Sequence, residues 1–228
     1  MSLFPICLGL FSAVTLAAAN MSVKMGSDVL VGRAILSASA AAMMAPAALF
    51  VLAPNTATWA ALAIALPAHF FYQICLIRAL GRGDLSLVFP VMRGTAPLLT
   101  AFAALFFLHE TLEPLAWVGL AVAPLAVVSF AMPPRGVPIR DHPDRIALGW
   151  AGATALGVSL YNVADARGVR IAPDPFTFIV WLFLLDCVLI TSLALFLRRN
   201  ALSRAVAMRW RYGVAAGGLS IFSFGAAL

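Results

Sequence analysis

The sequence predicts an all-α integral membrane protein, an inverted-repeat bundle of transmembrane helices with eight spans present. Three observations predict it. Hydrophobic residues fill 63% of the 228 positions and charged residues only 11%, more apolar surface than a soluble domain of this length needs. Apolar runs of about 20 residues, enough to cross a hydrocarbon core of roughly 30 Å, recur between short charged or Pro/Gly-rich breaks. Features of the first half return in the second. Helices satisfy their own backbone groups in lipid, and the alternating ten-residue segments of a membrane barrel are absent.

The spans fall at 3–22, 29–52, 58–79, 85–107, 114–132, 147–164, 176–197 and 211–228. The first has no Lys or Arg ahead of its apolar run, so it reads as a retained helix rather than a secretory signal. It ends near Asn20. The second is rich in Ala and Ser, a face that lets a neighbouring helix approach closely. The third carries His69, Tyr72 and Gln73 at spacings of three and four, which puts them on one helix face. That polar face belongs in the bundle interior or against a cavity. The fourth holds Arg93 between Pro90 and Pro97, and two prolines so close can bend a helix and free backbone carbonyls. Arg93 suits an anionic group such as a substrate carboxylate; pairing with a buried acid, Asp186 among them, or snorkelling to the interface are its plainer roles. The fourth span closes on His109 and Glu110, read as helix-end and loop residues.

Tyr161 and Asn162 stand near the end of the sixth span with Asp165 just past it, one helical turn from Asn162, and they either gate or line a cavity or hydrogen-bond across a helix contact. Asp186 stands near the middle of the seventh span. A carboxyl in lipid is a proton-carrier candidate, and its plainer role is a hydrogen bond to a neighbouring helix. Cys7, Cys75 and Cys187 lie within apolar spans without CxxC spacing, so neither a disulfide framework nor a metal site follows, and no cofactor is expected.

Charge orients the chain. Lys24, Arg33, Arg78, Arg82, Arg135, Arg140, Arg145, Arg198, Arg199, Arg204, Arg209 and Arg211 fall at one side, and Arg167 and Arg170 at the other. The positive-inside rule puts the twelve in the cytoplasm and the N-terminus outside it. The net charge of +6 is thus a topological signal, not a nucleic-acid footprint.

At a shift of 142, Asn20 falls on Asn162 and Gly26 on Gly168. Trp59 and Trp210 open the third helix of each copy. The copies are 1–132, with five helices, and 147–228, with three, joined by 133–146. Five spans is an odd number, so the second copy lies inverted, the plan of many secondary transporters.

The segment Arg78–Phe130, with GDLSLVFP, RGTAP and a helix closing on HE, resembles the end of a repeat in EamA-type transporters of the drug/metabolite transporter superfamily. YNVADARGVR followed by WLFLLD is similar to the opening of that family's second repeat. The resemblance implies ten helices in two five-helix halves around a central cavity, in the cytoplasmic membrane of a bacterium. It implies gradient-driven transport, often export, of small metabolites such as amino acids. Eight spans against ten then reads as a chain truncated at its C-terminus, a fragment expected not to transport alone. Its partners are the bilayer and a small-molecule substrate, and a homo-oligomer is compatible with the sequence. Two other classes stand beside this one. An intramembrane enzyme lacks support, because HExxH, GxSxG and P-loop motifs are all absent. A non-transporting membrane subunit or scaffold is the alternative that the repeat and the polar helix face disfavour.

Overall fold

The computed structural model describes residues 3–24, 28–109, 111–132 and 144–227. Gly26, Glu110, Arg135 and Arg140 of the sequence reading lie outside the described residues, as does most of the 133–146 connection. The described residues are helical and contain no strand. The helices are α1 (Leu3–Lys24), α2 (Val29–Met44, continued by a 3-10 turn, Ala45–Leu49), α3 (Thr56–Leu80), α4 (Leu85–Phe107), α5 (Pro114–Ala131), α6 (Arg145–Ile171) and α7 (Pro175–Ala227). Five of these stretches are long and apolar enough to cross a membrane: Val29–Leu49, Thr56–Leu80, Leu85–Phe107, Arg145–Ile171 and Pro175–Met208.

The ends follow local chemistry. Asp28 caps α2, its carboxylate accepting from Leu30 N at 2.9 Å and Val31 N at 3.2 Å. Pro46 has no N–H to give back to the preceding turn, and there α2 tightens into the 3-10 turn. Asn55 caps α3 by accepting from Thr58 N at 2.8 Å. His109 takes a left-handed conformation, φ 56°, just past the end of α4.

Three boundaries correct the sequence reading. The second span, expected over 29–52, is α-helical only to Met44. The sixth, expected over 147–164, runs to Ile171, so Asp165, Arg167 and Arg170 sit on helix and not in a polar break. The expected loop between 197 and 211 is helical too. Residues 175–227 are helical throughout, interrupted only at Arg198 with φ −139° and ψ 31°. The 197–211 stretch contains Arg, Asn, Ala, Leu and Met but no Gly or Pro, so its charge does not stop the backbone from coiling.

The chain forms two compact units, one of residues 1–58 and 172–228 and one of residues 59–171. In the first, the Ala/Ser face of α2 packs on α7. A Cβ added at Gly217 would stand 2.9 Å from Ala40 N and 3.2 Å from Leu36 O, so the glycine permits backbone contact. Ala19, Val23, Leu36 and Ala216 form a buried cluster there. Ser12 and Ser223 clasp α1 to the end of α7, each hydroxyl donating to the other's carbonyl at 2.8 and 2.9 Å. In the second unit, α4 packs on α5 and α6, and α6 is seated on α3 at Gly157, where a Cβ would stand 2.8 Å from Tyr72 Cα.

Candidate functional site

The second unit gathers most of the chemistry-bearing residues that the sequence singles out. Gly157 brings the α6 backbone against α3 at Tyr72. This close approach lets side chains one and two turns further along meet. His69 Nε2 and Asp165 Oδ2 share a hydrogen bond of 2.8 Å between α3 and α6. Asp165 is almost fully buried, with 2% of its surface exposed. The Tyr161 ring stacks on His69 at 4.4 Å between centroids, and Tyr72 meets Tyr161 edge-on at 5.0 Å. Gln73, one turn from His69, is buried on the same helix. The expected polar face of α3 is therefore turned to α6 within the protein.

Arg93 extends this cluster from α4. Its guanidinium lies against the Tyr161 hydroxyl and 5.8 Å from the Phe89 ring centroid. Pro97 leaves the carbonyl of Arg93, one turn back, without its usual helical donor. Beside Arg93 lies an open-sided cavity of about 500 Å3, lined by α4 from Arg93 to Ala104, by Leu112 and Leu120, and by Val158 and Asn162 of α6. This is a volume suited to a small metabolite.

Not every candidate joins this cluster. Asn20, which the sequence reading aligns with Asn162, belongs to the first unit. It is buried and donates Nδ2 to Leu16 O of its own helix at 2.9 Å. Asn162 is exposed and lines the cavity. Asp186 is half-buried on α7 in the first unit. Sequence reasoning did not single out Thr100, whose Oγ1 is buried without a hydrogen-bond partner and which lines the cavity two turns from Arg93. The signal was available: Arg93 and Thr100 are spaced to share a face of α4 around Pro97.

Chemically, a buried His–carboxylate pair can hold or release a proton between helices, and a guanidinium beside a cavity can fix an anion. Among the described residues no group of three or more His, Cys, Asp or Glu is placed to hold a metal ion. Comparison with family models, with curated proteins and with solved structures returned no match to this chain.

Proposed function

We propose that this chain is a secondary transporter of small metabolites, of the EamA type, multi-pass in a cytoplasmic membrane, with its N-terminus outside the cytoplasm and driven by an ion gradient. The observation that carries the reading is a metabolite-sized cavity with a buried polar cluster beside it, set among helices apolar enough to cross a membrane. Polar groups are unfavourable in lipid unless they serve a pathway or a packing contact. Here Arg93, Thr100 and Asn162 line the cavity, and the His69–Asp165 pair reaches it through Tyr161 and Arg93.

The internal pairing of helices supports an inverted repeat. In one unit α1 clasps the end of α7 at Ser12 and Ser223, and in the other α6 sits on α3 at Gly157 and Tyr72. On the repeat alignment α1 corresponds to α6, and the last part of α7 to α3. Ser12 aligns with Thr154 and Ser223 with Tyr72, so the two contacts fall within one helical turn of each other. A first helix of one copy resting on the third helix of the other, formed twice, is what two halves with exchanged first helices produce.

Two acids are candidates for the coupling proton, Asp186 on α7 and Asp165 against His69. We favour Asp165, because its pair adjoins Tyr161 and, through it, Arg93 at the cavity. The test is flux. The protein expressed from its whole gene, reconstituted in sealed liposomes, is expected to give saturable counterflow of at least one member of a panel of amino acids and small carboxylates. Folded protein in the membrane with no flux above empty liposomes across that panel removes the transporter reading in favour of a subunit or scaffold.

A further inference from the structure

We propose that the cavity beside Arg93 selects a small organic anion with a single carboxylate and a neutral, largely apolar body. The proposal takes the cavity as the ligand site of the function above, but it does not depend on transport. Arg93, Ala96, Pro97, Thr100, Ala101 and Ala104 line one wall at steps of three and four along α4. Most of that wall is methyl and methylene. Arg93 Nε and Nη2 are both buried without a hydrogen-bond partner, and so is Thr100 Oγ1.

The identity of the two nitrogens points to the ligand. The N–H bonds of Nε and of Nη2 along one edge of the guanidinium run parallel. They form the side-on fork that holds both oxygens of a carboxylate. The Tyr161 hydroxyl is a neighbour of the same head group. In this conformation the fork is closed to solvent. The arginine already lines the cavity, and a ligand there meets the fork only if the head group turns about its last torsions. A carboxylate arriving there supplies acceptors that the protein does not, and donors left unmade in a low-dielectric site are costly.

The charge of the ligand follows from the rest of the lining. Arg93 is the only charged residue among the described residues that line the cavity; the others are Ala, Pro, Leu and Val, with Thr100 and Asn162 as neutral polar groups. One guanidinium balances one carboxylate. An added ammonium, as in a zwitterionic amino acid, meets no acidic side chain among those residues.

Equilibrium binding to the purified protein in detergent tests this with three probes of one shape: isocaproate, its amide, and leucine, which is isocaproate with an added ammonium. Isocaproate is expected to bind at least about tenfold tighter than either of the others, the effect of a charge-assisted pair. Arg93→Gln should abolish the preference. Arg93→Lys, which keeps the buried cation and so the fold if Arg93→Gln fails to fold, should reduce it by losing the fork. Isocaproate binding no tighter than its amide or leucine, absence of binding included, overturns the proposal. So does a preference left intact in Arg93→Lys and Arg93→Gln. Binding with this preference in a protein that carries no flux sinks the transport reading and leaves the site standing; flux without the preference does the reverse.

Discussion

His69 and Asp165 face each other across a 2.8 Å hydrogen bond, and the two residues are 96 positions apart in the chain. Each was visible in the sequence as a polar side chain in an apolar span. Their pairing was not, because it depends on Gly157 drawing α6 onto α3, and periodicity along one helix carries no information about the next. Arg93 stood out in the sequence by its prolines, with a cavity, a buried acid or the interface all open to it, and it lines the cavity, whereas Asp186 and Asn20 stand in the other compact unit. If the His69–Asp165 pair carries the coupling proton, Asp165→Asn keeps the side-chain size and hydrogen bonding but removes the ionisable group. Gradient-driven uptake should then vanish while counterflow survives. Asp186→Asn is the comparison: concentrative uptake is expected to persist in it. Loss in Asp186→Asn with retention in Asp165→Asn would transfer the role to α7.

At the scale of the element, two positions separate packing from capping. A Cβ at Gly157 would come within 2.8 Å of Tyr72 Cα, a backbone atom that cannot rotate away. Gly157→Leu should therefore push α6 from α3 and destabilise the protein by about 1–3 kcal/mol or more, as overpacking does, with thermal unfolding as the measure. Gly149 has open space where its Cβ would be, so Gly149→Leu should leave the midpoint nearly unchanged. Asp28 does two jobs: it caps α2, and it accepts from Arg198 Nε at 3.0 Å, next to the irregular residue of α7. The ion pair is exposed, 57% at the arginine side chain, and contributes little against solvent. Asp28→Asn should be nearly neutral, whereas Asp28→Ala should cost about 1 kcal/mol through the lost cap. Equal losses in both would mean that the ion pair to Arg198 stabilises more than the cap does. The same helix shows how the sequence misled. Arg198, Arg199, Arg204, Arg209 and Arg211 read as a loop because charge leaves a bilayer, but a helix that leaves a bilayer need not end there. Where a true breaker occurs, at Pro46, the irregularity is in place.

For the whole molecule, the two copies that the sequence reading expects and the two compact units divide the chain differently. Repeat copies would be contiguous in the chain, whereas the units follow packing: α1 and α2 join α7 in one, and α3 to α6 form the other. Composition and span spacing made the helical membrane class legible, because lipid permits so few backbone solutions. Which helix packs on which was not legible, since small-residue faces such as those of α2 and α6 fit many partners. Orientation is the one whole-molecule property that the charges address directly. Ser203 lies on the exposed surface of α7 amid Arg198, Arg199, Arg204 and Arg211, while Thr111 lies between α4 and α5, near Glu110 and Glu113. With twelve basic residues on the Ser203 side against two on the other, the positive-inside rule predicts Ser203 in the cytoplasm. With Cys7, Cys75 and Cys187 replaced by serine or alanine, an impermeant thiol reagent applied to intact cells should label Thr111→Cys and spare Ser203→Cys until the membrane is opened. Labelling of Ser203→Cys in sealed cells, with Thr111→Cys protected, inverts the chain and moves α3 to α6 end for end in the bilayer. Labelling of both at the outset means that one of these segments does not cross, and the count of spans between α5 and α7 would then have to change by one.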